Sequence, residues 1–328
     1  MTQARWLRAE PRRRLPPDTL ERVVRAALPG SRLIAARPLG DGLRNANFRL
    51  FLESPADPVV LRIYEHDPSL CRKEIDLFRL LSDTVPVPQI LHAQPDGLDD
   101  LPPFTVARYI EAVTLHELKR GGDRGAIAQA ALSAGRTLAA ISRVQFDKPG
   151  WLSPGPTVTV PLLDGPDPTP RFIDTCLTSP VVQQRMPSDV RDRVSTLGWS
   201  AASELALLDR ETRLVHGDFG KRNLLVRSDA ERWSVAGVLD WEFAVSGSPL
   251  IDVGHLLRYE RASNPLLEPH FSNGFTEAGG VLPNDWRRLA RIVDLAALCE
   301  SLTHEALPHD TTAEIAGLVR TTCDDYSK

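Results

Sequence analysis

Two acids and an amide in the second half of the chain have the types and the spacing that phosphoryl transfer requires. Asp218 and Asn223 lie five residues apart in LVHGDFGKRNLLV, between two apolar runs, and Asp240 follows a later apolar run in VLDWE. A carboxylate can accept the proton of an attacking hydroxyl group, and amide and carboxylate oxygens are suitable ligands for Mg²⁺. One base and two metal ligands at predicted strand ends therefore indicate phosphoryl-transfer chemistry.

Short strands are predicted to position these three side chains. The segments RLVHGD, NLLVR and SVAGVLDWE contain short apolar runs, which are typical of buried strands. Asp218 ends the first segment and Asn223 begins the second. We therefore expect these two strands to form a hairpin that exposes both side chains at one edge.

The first third of the chain predicts a β-rich unit with one inserted helix. A helix is expected over residues 18–27, with Asp18 as N-cap and Pro29-Gly30 after its end. The alternating or apolar segments SRLIAARPL, NFRLFLE, PVVLRIYE, VPVPQILHA and PPFTVARYI predict five strands. Between the third and the fourth, SLCRKEIDLFRLLSD predicts an amphipathic helix.

The rest of the chain is predicted to be mainly helical. AIAQAALSAGRTLAAISRV and DWRRLARIVDLAALCESLTHEAL read as long helices, and helical patterns also cover residues 171–208. Residues 149–170 are rich in Pro and Gly, so they are expected to form an irregular loop. The fold class that follows is α+β, with a small β-rich lobe and a larger, mainly helical lobe.

Composition and charge exclude several classes of protein. The 328-residue chain is 42% hydrophobic and 25% charged, which is typical of globular proteins, and its net charge of -4 predicts no bulk attraction to nucleic acid or to an anionic membrane. No apolar run approaches the roughly 20 residues that span a bilayer, and the basic amino terminus has no apolar secretory-signal region. The four separated cysteines form no CxxC pair, which predicts free thiols and a cytoplasmic protein.

Three motifs together resemble a known family. HGDFGKRN, followed by LDWE and PLIDVGHL, is similar to the catalytic and metal-binding segments of the aminoglycoside phosphotransferase and choline kinase-like superfamily. These are small-molecule kinases with a two-lobed, protein-kinase-like fold. The resemblance implies Asp218 as catalytic base, Asn223 and Asp240 as magnesium ligands, His216 as a brace of the loop, and Asp252 as its support.

The amino-terminal half resembles the nucleotide-binding lobe of the same family. LGDGLRNANFRL is similar to the hairpin that covers the nucleotide, and the absence of a Cβ would let Gly40 and Gly42 approach the phosphates. An ordinary glycine turn is the alternative, because a full GxGxxG is missing. In VVLRIYE, Arg62 would pair with the α- and β-phosphates, and Glu74 in the next helix would hold it. Arginine replaces the lysine of most kinases, as it often does in choline-kinase-like members.

TVARYIEAV resembles the hinge between the lobes. The backbone of Arg108 and Ile110 would then meet the adenine edge, and Ala112 replaces the usual glycine. The predicted organisation is a flexible basic leader (1–17), a nucleotide-binding lobe (18–105), the hinge (106–112) and a catalytic and substrate lobe (113–328). An interaction arm is the alternative for the leader.

A small hydroxyl compound is the predicted phosphate acceptor. Protein kinases carry a lysine two residues after the catalytic aspartate and a long activation segment that ends in A-P-E. This chain has Gly220 at the first position, and only eleven residues separate Asp240 from Asp252. From Glu260 onward eleven acids face six bases, which favours a cationic substrate, although ordinary helical surfaces are also rich in acids.

The expected activity is transfer of the γ-phosphate of ATP, with GTP as the alternative, to an aminoglycoside-like compound, an amino alcohol or a sugar in the presence of Mg²⁺. Lys221 and Arg222 could neutralise the transferred phosphate, or could simply be a solvated loop pair. A nucleotide-binding pseudokinase with a sensing or scaffolding role is the competing hypothesis. The intact Asp218, Asn223 and Asp240 argue against it.

Overall fold

A computed structural model describes residues 15–39, 45–53, 57–230, 232–262 and 264–326. Residues 1–14 of the predicted leader, and both Gly40 and Gly42, lie outside these described residues. The chain divides into two compact units. The N-terminal unit comprises Met1–Ala112, Pro154–Pro156 and Ala236–Glu242, and the C-terminal unit comprises Val113–Ser153, Thr157–Val235 and Phe243–Lys328.

The N-terminal unit is built on a five-stranded antiparallel sheet of order β1-β2-β3-β5-β4. All five strands and both helices were predicted from the sequence. The strands are β1 (Leu33–Pro38), β2 (Ala46–Leu52), β3 (Val59–Ile63), β4 (Ile90–Gln94) and β5 (Phe104–Arg108); the helices are α1 (Pro17–Ala27) and α2 (Ser69–Leu81).

Strand alternation decides which side chains of this sheet are available for chemistry. In β3, Val59, Leu61 and Ile63 are buried in the core that α1 covers, and the residues between them lie on the opposite face. Arg62 is one of these, and it pairs in register with Thr105 of β5 and Asn47 of β2. A central strand therefore holds Arg62 rigidly on the face away from that core.

The C-terminal unit is mainly helical, as predicted. Its helices are α3 (Leu115–Gly121), α4 (Arg124–Ile141), α5 (Pro168–Thr178), α6 (Pro180–Arg185), α7 (Ser188–Ser200), α8 (Ala202–Leu208), α9 (Leu250–Leu257), α10 (His270–Glu277), α11 (Trp286–Ser301) and α12 (His309–Tyr326). Helix α4 begins at the N-cap Asp123, whose carboxylate accepts a hydrogen bond from the Ala126 N–H. Glycines let α4 and α10 pack closely, because a Cβ at Gly135 or Gly274 would overlap the backbone of the other helix.

Short strands complete the fold in two small sheets. They are β6 (Val113–Thr114), β7 (Gly150–Ser153), β8 (Thr157–Val160), β9 (Arg213–Val215), β10 (Leu224–Asp229), β11 (Arg232–Val238) and β12 (Val245–Gly247). One sheet has the order β8-β7-β12-β9 and the other has the order β11-β10-β6.

The hairpin predicted around Asp218 is wrong. Strand β9, which precedes Asp218, pairs with β12, where Val215 lies opposite Val245. Strand β10, which follows Asn223, pairs with β6 and β11 instead. The loop between β9 and β10 therefore connects two different sheets. The irregular loop expected over 149–170 is also partly wrong, because β7 and β8 form a hairpin there.

The described part of the chain shows the state of the cysteines and the character of the helices. All four cysteines are buried and unpaired, as their spacing predicted. None of the helices that the structure describes has the length and apolar character needed to cross a membrane.

Candidate active site

The loop between β9 and β10 brings Asp218 and Asn223 together. The Nδ2 amide of Asn223 donates hydrogen bonds to the backbone oxygen and to the Oδ2 atom of Asp218, both at 2.9 Å. Gly217 begins the loop with a φ of 79°, and a Cβ there would overlap the carbonyl of Phe243. Glycine is required on both counts. The five-residue spacing thus closes the loop on itself and fixes the carboxylate of Asp218.

A buried aspartate on α9 holds the start of this loop. The Asp252 carboxylate accepts the backbone N–H groups of His216 at 2.7 Å and Gly217 at 2.9 Å. Burial raises the pKa of Asp252 to about 7, although these backbone donors favour its charged form. His216 is fully buried, and its Nδ1 atom accepts the backbone N–H of Asp218 at 3.1 Å. The side chains of Asp252 and His216 are therefore placed to brace the loop.

His255 is a contact of the predicted base that the sequence reasoning missed. Its Nε2 atom lies 3.0 Å from Oδ1 of Asp218. Burial alone would raise the pKa of Asp218, but the hydrogen bond and charge of His255 hold it below its ordinary value, with help from His216 and Asn223. Helical spacing could have indicated His255, because Asp252 and His255 are three residues apart on α9 and share a face.

The N-terminal unit assembles a second cluster from Arg62, Glu74 and Asp240. Arg62 Nε lies 3.1 Å from Glu74 Oε2, and its Nη2 lies 2.6 Å from Asp240 Oδ1. Glu74 is only 1% exposed, whereas Asp240 is 39% exposed. The family resemblance implied the pairing of Arg62 with Glu74, but it did not imply that Asp240 would join them.

Additional donors stabilise the buried carboxylate of Glu74. The Tyr64 hydroxyl donates to Oε2 at 2.5 Å, and the backbone N–H of Trp241 donates to Oε1 at 3.1 Å. Burial raises the pKa of Glu74, and the Arg62 charge opposes that rise. Burial would lower the pKa of Arg62, but the two carboxylates raise it well above its ordinary value. The guanidinium is therefore charged at any physiological pH.

Asp240 adopts an unusual backbone conformation. Its φ is 71°, in the left-handed region that few residues other than glycine occupy. Such strain persists only where the surroundings enforce it, and it is often found at functional sites. Here Arg62 holds the side chain of Asp240, and Glu74 holds the N–H of the next residue, Trp241.

The two predicted magnesium ligands have suitable donor atoms. Asn223 turns its Nδ2 group toward Asp218, so its amide oxygen faces the other way. Asp240 offers a partly exposed carboxylate. Within the described ranges no group of three or more His, Cys, Asp or Glu residues could hold a metal. Mg²⁺ usually keeps several waters and binds substrate phosphates, so it needs few protein ligands, and carboxylate and amide oxygens are both of a type that it accepts.

The structure reduces the number of backbone groups of Arg108 that could contact an adenine ring. The backbone N–H of Arg108 donates to the carbonyl of Gln89 at 2.9 Å, and its side-chain Nε donates to Gln89 Oε1 at 2.6 Å. This N–H is therefore unavailable to an adenine ring, and only the carbonyl of Arg108 could serve. The role expected for Ile110 stays a prediction.

The side chain of Lys221 turns into the C-terminal unit. Its Nζ atom donates to the Leu256 carbonyl at 3.3 Å and lies 5.6 Å from the ring centroid of Tyr259. Burial, with the nearby charge of Lys119, lowers the pKa of Lys221 to about 8. Lys221 is therefore packed rather than solvated, as the alternative of a solvated loop pair required, whereas Arg222 is exposed.

The sequence and the fold of the chain are similar to those of known proteins. Residues 35–292 match the family model described as the phosphotransferase enzyme family. No curated protein sequence matches the chain.

Two solved structures illustrate the similarity of fold. A thermostable mutant of aminoglycoside phosphotransferase APH(4)-Ia, in a ternary complex with AMP-PNP and hygromycin B, is 21% identical, with 94% of this chain and 97% of that chain covered and a TM-score of 0.62. A mutant of aminoglycoside 2'-phosphotransferase-IIIa in complex with GDP is 18% identical, with 92% and 95% covered and a TM-score of 0.68. These similarities confirm the predicted protein-kinase-like fold. With its family model matched over most of its length, the chain belongs to the phosphotransferase enzyme family.

Proposed function

We propose that this phosphotransferase uses ATP and Mg²⁺ to phosphorylate a hydroxyl group of a small molecule. The observation that carries the proposal is the environment of Asp218, whose two carboxylate oxygens are held by His255 and Asn223 on a loop that Asp252 braces. A carboxylate fixed in this way is suited to orient an acceptor hydroxyl and take its proton.

In the proposed reaction the acceptor oxygen attacks the γ-phosphorus while its proton passes to Asp218. The bond from the γ-phosphorus to the oxygen that bridges the β- and γ-phosphates breaks, and ADP leaves. Asn223 and Asp240 would hold Mg²⁺, which would neutralise charge on the phosphate oxygens. The low pKa of Asp218 keeps its carboxylate charged and ready to accept the proton at neutral pH.

The N-terminal unit is proposed to bind the nucleotide, and residues 106–112 to be the hinge. Arg62 supports this assignment, because it is charged, lies on a central strand and is held by Glu74. A guanidinium can contact two phosphate oxygens at once. The related folds add support, since they are described in complexes with AMP-PNP, GDP or, for a 14% identical APH(2")-IIa, with ATP and streptomycin.

The charge of the acceptor does not follow from the excess of acids after Glu260. Seven of those eleven acids are ion-paired with an arginine or lysine within the C-terminal unit: Glu260, Glu268, Glu277, Asp285, Asp294, Asp324 and Asp325. Paired acids provide little net attraction for a cation. Neutral sugars therefore stand beside aminoglycosides and amino alcohols as candidate acceptors.

The test is ADP formation from ATP, and in parallel GDP formation from GTP, with a panel of aminoglycosides, amino alcohols and sugars. We expect turnover that depends on Mg²⁺ and on one class of acceptor. A chain that binds a non-hydrolysable ATP analogue but transfers phosphate to no acceptor, and not to water, would support the pseudokinase hypothesis instead.

A further inference from the structure

The imidazole of His255 occupies the space beside the catalytic loop where a side chain at position 220 would begin. A Cβ built on Gly220 would lie 3.2 Å from Nε2 and 3.3 Å from Cδ2 of His255. Gly220 has no positive φ that would itself require glycine. A side chain at position 220 would therefore require the imidazole to shift by a few tenths of an ångström.

Position 220 is where protein kinases carry a lysine, two residues after the catalytic aspartate. In this chain a donor reaches the same aspartate from a different element, helix α9. Nε2 of His255 lies 3.0 Å from Oδ1 of Asp218, within hydrogen-bond distance, so an imidazole N–H at Nε2 can donate to the carboxylate.

Helix α9 is well placed to hold this imidazole. Asp252, one turn earlier on α9, accepts two backbone N–H groups of the loop. At Gly254 the helix approaches α11 so closely that a Cβ would overlap the Ala290 carbonyl. Asp294 of α11 is paired with Arg258, and the charge of His255 contributes to its lowered pKa. The ring of His255 therefore belongs to a rigid, largely buried assembly.

We propose that His255 is a positioning residue for Asp218 and replaces the side chain missing at Gly220. His255 holds Oδ1 and Asn223 holds Oδ2. With both oxygens held, rotation of the carboxylate is restricted, and its remaining lone pairs are available to the acceptor hydroxyl. This inference rests on the proposed function.

The experiment measures ADP formation from ATP with Mg²⁺ and the panel of aminoglycosides, amino alcohols and sugars, beside the affinity for a non-hydrolysable ATP analogue and the thermal midpoint. His255→Ala should lower kcat about tenfold to hundredfold, the effect of losing one hydrogen bond to a charged group, with the KM for ATP unchanged. His255→Gln keeps an N–H donor and should recover part of the loss. His309→Ala, at a side chain that is 97% exposed, is the matched control and should behave as wild type.

A combined variant provides the sharpest result. Gly220→Lys alone should lower kcat because the lysine crowds the imidazole. In the His255→Ala background the same substitution should raise kcat at least about threefold, a coupling of the kind that neighbouring residues show. Wild-type kcat in His255→Ala would overturn the inference, and so would a loss that neither His255→Gln nor Gly220→Lys relieves. A wild-type protein that forms no ADP with any acceptor of the panel, or with water, would instead refute the proposed function itself.

Discussion

Replacing Arg62 by methionine perturbs the buried cluster of the N-terminal unit most directly. Methionine keeps much of the length of the arginine stem and removes its charge. Glu74, at 1% exposure, would keep its hydrogen bonds from Tyr64 and from the Trp241 N–H. It would lose the guanidinium that lies 3.1 Å from its carboxylate.

The loss of stability can be estimated from the burial of the two carboxylates. Removing one partner of a buried ion pair costs about 3–5 kcal/mol, since an uncompensated charge stays in the interior. The pair with Asp240 adds little, because the Asp240 side chain is 39% exposed and screened by solvent. The donors that remain on Glu74 place the expected loss near the lower end, at about 3 kcal/mol. The free energy of unfolding of native proteins is about 5–15 kcal/mol, so the expected loss is a large fraction of it.

The assay is denaturant unfolding of the wild type and three variants. Glu74→Gln added to Arg62→Met should recover more than half of the loss, because a neutral amide oxygen can still accept from Tyr64. Arg32→Met is the matched control, since the Arg32–Glu53 pair of the same unit is bidentate but exposed, and it should leave the midpoint unchanged. If Arg62→Met costs no more than Arg32→Met, the buried-pair reasoning is wrong.

Three further outcomes are expected. Asp240→Ala should abolish the Mg²⁺-dependent part of ATP-analogue binding, and calorimetric titrations equal to wild type would contradict its role as a ligand. The pKa of Lys221 is about 8 when folded and ordinarily 10.5, so the folded chain binds fewer protons between those values and its stability should rise with pH there. In Lys221→Met the free energy of unfolding should lack that rise with pH. If the free energies of unfolding of wild type and Lys221→Met change with pH in parallel, the prediction is refuted. Gly274→Ala should cost about 1–3 kcal/mol of unfolding free energy, because its Cβ would overlap the Leu132 carbonyl, and an unchanged denaturation midpoint would contradict this packing.

Local patterns predicted much of the fold because they depend on residues close in sequence. The five strands and two helices of the N-terminal unit follow from alternation and helical periodicity. The contact between Asp218 and Asn223 also lies within one loop. The pairing of Arg62 with Glu74 came instead from the resemblance to a kinase family.

The errors concern contacts between distant segments. Strands β6 and β12 are two and three residues long, too short to show periodicity, yet they decide which sheets β9 and β10 join. The hairpin expected around Asp218 failed for this reason. His255 was missed because its contact with Asp218 spans 37 positions and depends on how α9 packs. The role of the Lys221 side chain could not be predicted either, because it depends on the hydrogen bond of its Nζ atom to the distant Leu256 carbonyl.

The central claim is that Asp218 is the base for phosphoryl transfer, and Asp218→Asn tests it most directly. The measurement is ADP formation with Mg²⁺ and the best acceptor of the panel, with binding of a non-hydrolysable ATP analogue recorded on the same preparations. The amide cannot take the acceptor proton, so turnover should fall about 100-fold to 10,000-fold, while the affinity for the analogue changes less than about twofold. Turnover close to wild type in Asp218→Asn would contradict the assignment of the base.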